Sequence, residues 1–393
     1  MRISRWATAL ACAAATVAGL TAAPGWTVAA GASVAAPPTR SPAQRVVPAG
    51  YEPISTSWPT PRSGLVLFGK GSAGTGLPYL FRTGDGGRSW RRVPMPRWLP
   101  DSTIAWGDGA IVAVSFTPSQ RSADSPAWRI GVSRDGGRRW ASLGVPGVLP
   151  APHGLIVGLF DLTVADGRVF VVVTKTVYRT GASSAGVYSG RLSGKALRPV
   201  AGLSISGSEA YGNISAQGGV VQADLGADFA TQRYWYSKHG AGFTAAPLPC
   251  AAGLQALTGR AAAGQPVALC SGSPSDVDAG QNDKRVRVAP APGRPFHSAG
   301  PVFVSPNEQL FTAATTHTMA VATTFTLAMT FNGGRSWRNE LVAGAGARWA
   351  YLAFPTPATG FTLYTTVSTT GRTEVFLDRT VDGGHVWRPV PLP

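Results

Sequence analysis

The sequence predicts an all-β protein, a seven-bladed β-propeller with four strands in each blade, and three observations lead to it. The chain of 393 residues contains 49 Gly and 32 Pro, which disfavours long helices because both residues weaken or break a helix interior. Its hydrophobic fraction of 44% is nevertheless enough for a sizeable core. One short motif also recurs at intervals of about 50 residues, a spacing typical of propeller blades.

The N-terminal segment, residues 1–32, has the organisation of a secretory signal peptide. Arg2 and Arg5 supply a positive region, an Ala-rich apolar run follows, and small residues provide cleavage sites. An uncleaved membrane anchor stays open, because the apolar run approaches the length that spans a bilayer. Residues 33–49 are rich in Pro, Ala and Ser without an apolar period, which predicts a disordered linker before a propeller at 50–393.

Export determines how the cysteines and the charge are interpreted. Cys250 and Cys270 remain after the signal peptide, and a pair in an oxidising compartment indicates a disulfide bond. No His or carboxylate spacing near them indicates zinc, so neither a metal nor a cofactor is predicted. The formal net charge of +16 favours acidic cell-wall polymers, acidic glycans or lipid headgroups over nucleic acid, from which export separates the protein. The alternative is that the charge only aids solubility.

The repeated motif is Asp/Asn-Gly-Gly-(Arg/His)-X-Trp. Its four clear copies end the segments 82–90, 132–140, 329–337 and 379–387. Three degenerate copies fit the remaining length, at 190–197, 237–243 and 289–296. Together they predict seven units, with six or eight still open, and each unit contains four strands. In the first unit the strands are predicted at 52–58, 64–70, 78–83 and 89–94.

A second repeat supports the same period. The segments WPTPRSGLVL (58–67) and FPTPATGFTL (354–363) share Pro, Thr, Pro, Gly and Leu in register. Each precedes its own motif Trp by a similar distance, so the Pro-Thr-Pro turn and the Asp-Gly-Gly turn are expected within the same blade.

The pattern (Ser/Thr)-X-(Asp/Asn)-X-Gly-X-X-(Trp/Phe) resembles the Asp-box, or BNR repeat, of sialidases, sortilin-type receptors and photosystem II assembly-factor-like propellers. The matching residues are Thr83, Asp85, Gly87, Trp90; Ser133, Asp135, Gly137, Trp140; Thr330, Asn332, Gly334, Trp337; and Thr380, Asp382, Gly384, Trp387. Gly supplies the positive φ of a reversing turn, and the Asp or Asn oxygen accepts backbone hydrogen bonds within that turn. Trp is expected to pack between neighbouring blades. The motif is therefore interpreted as structural, since it lacks the carboxylates of an EF-hand and the helix of a phosphate loop.

A sialidase-like exo-glycosidase is the competing interpretation, because sialidases carry Asp-boxes. The resemblance would then require three arginines, a Tyr nucleophile paired with a Glu, and an Asp acid/base. The Arg-Ile-Pro segment of that family is absent, and Glu209 with Tyr211 is a weak candidate pair. Asp161, on an expected inner strand, is interpreted as a hydrogen-bonded structural residue. No catalytic residue is assigned.

The sixth position of the motif is the candidate binding site, because it is basic in most copies. The residues are Arg88, Arg138, Arg294 and Arg335, with Lys195 and His385 in looser copies. The third turn of every blade lies on the same propeller face. These side chains would therefore form a basic rim that docks an acidic polymer or a protein. The alternative is that each Arg only stacks on the nearby Trp. The predicted function is that of a secreted or surface-exposed, monomeric, non-catalytic binding or scaffolding module.

Overall fold

A computed structural model describes the chain from residue 50 to 393 with gaps. The gaps are 71–76, 100–101, 118–126, 149–153, 178, 218, 228–230, 247–254, 261–265, 272–275, 282–283, 289–309, 314–317, 323–325, 333–337, 344–346 and 368–372. The described residues form strands and turns, with no helix among them. Among them, accordingly, no helical segment has the length and apolar character to span a bilayer. The predicted signal peptide and linker lie outside the described residues.

Within the described part of the chain, the strands form seven four-stranded antiparallel sheets whose strand order follows chain order. The first sheet contains β1 (Tyr51–Ser57), β2 (Gly64–Lys70), β3 (Tyr79–Thr83) and β4 (Arg91–Val93). The second contains β5 (Ser102–Gly107), β6 (Ala110–Thr117), β7 (Ala127–Ser133) and β8 (Ala141–Leu143). The third contains β9 (Leu155–Ala165), β10 (Arg168–Val177), β11 (Ser183–Arg191) and β12 (Arg198–Gly207).

The remaining four sheets follow the same plan. The fourth contains β13 (Ala210–Gln217), β14 (Val220–Ala227), β15 (Thr231–Lys238) and β16 (Thr244–Ala246). The fifth contains β17 (Gln255–Arg260), β18 (Pro266–Ser271), β19 (Asp276–Gln281) and β20 (Lys284–Val288). The sixth contains β21 (Leu310–Ala313), β22 (Met319–Ala322), β23 (Thr326–Thr330) and β24 (Arg338–Val342). The seventh contains β25 (Arg348–Ala353), β26 (Gly360–Val367), β27 (Thr373–Thr380) and β28 (Arg388–Val390).

The all-β class is confirmed, and the strand positions predicted for the first unit agree with the structure. The second predicted strand coincides with β2, and the ends of the other three differ by one or two residues. The degenerate copy at 289–296 is in the wrong register, because it follows β20 instead of lying between β19 and β20. Residues 289–296 themselves, Arg294 included, lie outside the described residues.

The core lies between successive sheets, and strand alternation explains how each sheet serves two neighbours. In β2, Leu65 and Leu67 pack with the second sheet, whereas Val66 and Phe68 pack with the seventh. Successive side chains of a strand point to opposite faces. Both faces of the sheet are covered, so the sequence of β2 is apolar at consecutive positions. β10 shows the same pattern, with every residue from Val169 to Val173 buried.

The innermost strands connect successive sheets. β1 contacts β5, β5 contacts β9, and β9 contacts β13. β17 contacts β21, β21 contacts β25, and β25 contacts β1. The first and seventh sheets exchange no strand, so side chains join these two sheets. Trp58 of the first sheet stacks on Phe361 of the seventh, with ring centroids 3.6 Å apart and planes at 11°. Both side chains are buried, and the junction of the first and seventh sheets is therefore a hydrophobic contact.

Candidate functional site

The Asp-Gly-Gly turn of the first sheet is held by hydrogen bonds within the motif. The Thr83 hydroxyl donates to Asp85 Oδ1 at 2.8 Å and accepts from the Gly87 amide at 2.9 Å. Asp85 also accepts from the Ser89 hydroxyl at 2.6 Å and from the Ser89 amide at 3.0 Å. These bonds, led by the Ser89 hydroxyl, hold the pKa of Asp85 well below its usual range. The carboxylate is therefore engaged by its own turn.

The other three clear copies repeat this network as far as the structure describes them. In the second sheet the Ser133 hydroxyl donates to Asp135 and accepts from the Gly137 amide. In the seventh, Thr380, Asp382 and Gly384 make the same bonds. In the sixth, the Thr330 hydroxyl donates to Asn332 Oδ1 at 3.0 Å. Gly334, Arg335 and Trp337 lie outside the described residues.

Each turn also contacts the preceding sheet of the ring. The Trp90 indole N–H donates to the Pro391 carbonyl of the seventh sheet at 2.7 Å. The Trp140 indole N–H donates to the Pro94 carbonyl, just after β4 of the first sheet, at 3.0 Å. The second Gly of the motif adjoins the same region, because a Cβ at Gly87 would overlap Val390. Trp and Gly therefore join neighbouring sheets.

The Pro-Thr-Pro repeat is part of the same structure. The Gly86 amide donates to the Arg62 carbonyl, and the Gly383 amide donates to the Ala358 carbonyl, each at 2.8 Å. The Thr60 hydroxyl in turn accepts from the Ser63 amide at 2.9 Å. The two repeated segments recur together because they are hydrogen-bonded within one sheet. The turn between the first and second strands accepts a hydrogen bond from the turn between the third and fourth strands.

The turn between the first and second strands and the turn between the third and fourth strands lie at the same end of each sheet, because antiparallel strands alternate in direction. We call this end the turn face. Contacts between turns continue across it from sheet to sheet. The Gly167 amide of the third sheet donates to Asp108 Oδ2 of the second at 2.7 Å. His239 Nδ1 of the fourth sheet lies 3.7 Å from Asp166 Oδ2 of the third.

Two residues of the predicted basic rim can be located on the turn face. Arg88 and Arg138 are exposed. Among the described residues, neither the Arg88 nor the Arg138 guanidinium lies over the indole of the Trp in its own turn. Burial lowers the pKa of Arg379, and the positive charge of Arg88 lowers it further.

The equivalent residue of the seventh sheet, His385, has structural contacts. Its Nδ1 lies 2.9 Å from a guanidinium nitrogen of Arg338 in the sixth sheet. Its ring stacks on Phe331 with centroids 3.9 Å apart, and Arg338 is also paired with Glu340. At this position the motif joins two sheets.

A cavity of about 570 Å³ lies on the turn face between the third and fourth sheets. We call it the arginine groove. Its lining residues are Arg168, Phe170, Ser189, Gly190, Arg191, Gly194, Ala196, Arg198, Pro199, Val200, Gly240, Ala241, Gly242 and Phe243. Three of these are arginines and none is acidic. The degenerate motif copies at 190–197 and 237–243 supply the two sides of the groove.

The three arginines differ in how they are held. Arg168 directly follows the turn between β9 and β10, and its Nε donates to the Ser189 hydroxyl at 3.0 Å. Its guanidinium also lies 6.0 Å from the centroid of the Phe170 ring. Arg191 and Arg198, at the end of β11 and the start of β12, are exposed. One positioned guanidinium and two solvated ones therefore surround a cavity that contains no compensating carboxylate.

The groove exists where the motif has lost its Trp. In the fourth sheet the motif position is Phe243, and the turn from Ser237 is one residue shorter than its equivalent in the first sheet. Phe243 meets Phe170 edge to face with centroids 6.1 Å apart. Sequence comparison found the two degenerate copies, but it did not single out Arg168, Arg191 or Arg198. The available signal was the degenerate motif in both sheets that border the groove.

The structure does not bring the candidate Tyr–Glu pair to these arginines. From the groove, β12 runs to the opposite end of the sheet, and Glu209 and Tyr211 follow there. Burial, with the charge of Asp224 as a smaller effect, raises the pKa of Tyr211 to about 12. The Tyr211 hydroxyl therefore stays protonated at neutral pH.

Asp161 joins two inner strands. Its carboxylate accepts from the Leu162 amide at 2.8 Å and from the Ile214 amide of β13 at 2.9 Å. Burial raises its pKa to about 7, although both hydrogen bonds act in the opposite direction.

The cysteine prediction lies outside what the structure describes, since Cys250 and the side chain of Cys270 are not among the described residues. In the described part, no three His, Cys, Asp or Glu side chains lie close enough together to hold a metal ion.

Comparison with known proteins identifies the fold. No protein-family model matches the sequence, and no curated protein matches it significantly. Among solved structures, YCF48 from Cyanidioschyzon merolae aligns with a TM-score of 0.50 and 14% identity over 86% of this chain and 97% of its own. The β-propeller domain of the trilobed protease from Pyrococcus furiosus aligns with a TM-score of 0.53 and 6% identity over 88% and 96%.

Puromycin hydrolase aligns with a TM-score of 0.58 and 9% identity over 86% of this chain. The alignment covers 53% of the hydrolase chain, so this chain spans about half of its length. At these identities the comparisons show the fold alone, which is a β-propeller. The Pyrococcus furiosus domain is described as having an open velcro topology.

Proposed function

We propose that this protein is an exported Asp-box β-propeller that binds an anionic macromolecule on its turn face and does not catalyse a reaction on it. The observation that carries the proposal is the arginine groove, where Arg168, Arg191 and Arg198 line one cavity that lacks any carboxylate. Unpaired guanidiniums at a cavity are suited to carboxylate, sulfate or phosphate groups, which they bind through paired N–H donors.

The surroundings of the groove support an extended anionic partner over a small ion. Lys195 is exposed in the same turn, and Arg88 and Arg138 are exposed on the turn face further around the ring. The formal net charge of +16 adds a long-range attraction to any polyanion. A partner that spans several turns would contact the groove and the basic rim together.

A binding role is also supported by the residues that line the groove. Ser189 is the one lining side chain with a hydroxyl, and that hydroxyl accepts the Arg168 hydrogen bond. The lining includes no Asp, Glu, His, Tyr or Cys that could act as acid, base or nucleophile. Export is proposed from the N-terminal sequence, and the Asp-box assignment from the hydrogen bonds that the repeated turns share.

The proposal is tested by measuring retention on immobilised polygalacturonate and polyglutamate at about 50 and about 300 mM salt. We expect binding to at least one polyanion, weakened by salt, and reduced about tenfold or more in the double variant Arg191→Gln/Arg198→Gln. The matched control is Arg97→Gln/Arg129→Gln, which removes the same charge from two exposed arginines outside the groove.

The rim is measured separately with Arg88→Gln/Arg138→Gln. Equal losses in the groove and control variants would mean that net charge alone is responsible, and this would contradict a specific site. Retention that does not change with salt or with any of these variants would also overturn the proposal.

A further inference from the structure

We propose that the arginine groove takes an aromatic side chain from an acidic peptide segment of a protein partner, and that this side chain occupies the place of the missing motif Trp. The inference rests on the proposed function, because it specifies the ligand of the same groove. It depends on comparing the turns between the third and fourth strands of different sheets, and the space beside the aromatic residue of each turn.

The first step is the equivalence of positions between sheets. In the second sheet, Trp140 and Gly137 adjoin Val93 and Pro94 at the end of β4 in the preceding sheet. Val93 is the third residue of its fourth strand, and Val200 is the third residue of β12. Val200 lines the groove, so the groove lies where a Trp of the fourth sheet would pack.

The second step is the size and character of the space. Phe243 takes the Trp position, yet a cavity of about 570 Å³ remains beside it, within the range of about 300–1,000 Å³ that is usual for ligand sites. Phe170 and Phe243 are both in its lining, and Val200 packs against the same core cluster. A space between two sheets with Phe243 and Val200 on its walls is suited to an aromatic ring that enters edge-on or stacked.

The third step is the charge around the entrance. Arg191 and Arg198 are exposed at the sides of the groove, and Arg168 lies over the Phe170 ring. Guanidiniums bind carboxylates and also stack on aromatic rings. An aromatic residue flanked by Asp or Glu satisfies both preferences, whereas a basic or purely apolar segment satisfies one or neither.

A peptide is favoured over an acidic polysaccharide because of where the accessible apolar surface lies. Phe170 itself is fully buried, so the apolar surface open to a ligand is that of the half-buried Phe243 and Val200, between the two sheets. A group that projects from a main chain reaches this surface. A peptide has such side chains at every residue, whereas the rings of a linear polyuronate are its main chain.

The test uses three synthetic peptides with a fluorescent label, measured by anisotropy on the whole exported chain. They are Gly-Asp-Asp-Trp-Asp-Asp-Gly, the same peptide with Ala in place of Trp, and the same peptide with Asn in place of each Asp. We expect the first to bind about tenfold more tightly than the second, which corresponds to burial of one aromatic ring. The Asn peptide should bind more weakly than the Asp peptide that contains Trp, and this difference in affinity should be larger at low salt.

Variants that fill the groove provide the second arm. Ala241→Trp adds an indole from an exposed lining residue, and Phe243→Trp restores the residue of the other turns. Each should bring the Trp and Ala peptides to within about twofold of each other. The control Val386→Trp alters an exposed turn residue of the seventh sheet and should leave the preference for Trp intact. Thermal melting identifies any variant that is misfolded, and the exposed position of Ala241 makes this variant the safer of the two.

The outcomes separate the inference from the function on which it rests. Equal, salt-sensitive binding of the Trp and Ala peptides would overturn the aromatic inference and leave anion binding in place. Displacement of the Trp peptide by polygalacturonate without any preference for Trp would identify a glycan ligand and overturn the inference as well. Failure of all acidic peptides and of polygalacturonate would contradict the proposed function itself.

Discussion

Replacement of Gly87 by Ala should destabilise the propeller at the junction of its first and seventh sheets. Gly87 has a φ of 90°, a conformation that disfavours any residue with a Cβ by roughly 1–2 kcal/mol. The added Cβ would also overlap Val390 Cγ1 of β28, and overpacking of a close contact costs about 1–3 kcal/mol. The sum is a loss of about 2–5 kcal/mol in the free energy of unfolding.

The measurement is the urea unfolding midpoint of the variant against a control in the same turn. Gly84 has nothing within 4 Å of a built Cβ and does not have a positive φ, so Gly84→Ala should change stability by less than about 0.5 kcal/mol. The double variant Gly87→Ala/Val390→Ala removes the overlapping methyl groups. It should be less destabilised than the sum of the two single variants by about 1–3 kcal/mol.

Two results would refute this reasoning. Equal effects of Gly84→Ala and Gly87→Ala would show that neither the backbone conformation nor the contact with Val390 matters. Strict additivity of Gly87→Ala and Val390→Ala would leave backbone strain as the whole effect and exclude the contact between the sheets.

Two further predictions concern other links between sheets. Trp140→Phe removes the indole N–H that donates to the Pro94 carbonyl and to the Gly137 carbonyl of its own turn, and we expect a loss of about 0.5–1.5 kcal/mol in urea unfolding. Trp387→Phe is its control and should lose less, since the Trp387 indole nitrogen has no hydrogen-bond acceptor among the described residues; equal losses would contradict a role for the hydrogen bond. Asp161 has its pKa raised from 3.8 to about 7, so its protonated form is favoured in the folded state and stability should fall as pH rises from about 4 to about 7. Asp161→Asn should flatten that fall in unfolding free energy measured across the window, and an unchanged profile would show that Asp161 is not the group responsible.

The repeated turns were readable from sequence because their interactions are local. Thr83, Asp85 and Gly87 bond to one another within four residues, so the residue types alone specify the turn and its place between two strands. The period of these turns then determined the strand positions of the first sheet.

The basic rim was only partly accessible to the same reasoning. The motif places Arg88 and His385 at equivalent exposed positions, but His385 also stacks on Phe331 and contacts Arg338 of the neighbouring sheet. Which of these side chains remains available to a partner depends on the residue opposite it. That residue lies about 50 positions away along the chain.

The sequence by itself determined an all-β repeat protein whose turns recur as one structural element, because period and local hydrogen bonding are properties of neighbouring residues. Only the tertiary structure decided where the turn face has a cavity. Arg168, Arg191 and Phe243 belong to three segments in two sheets, and they meet because each sheet packs on the next. A Trp at one position fills that junction, and a Phe in a shorter turn leaves it open. The space between sheets thus depends on the combined volume of side chains that are distant in sequence.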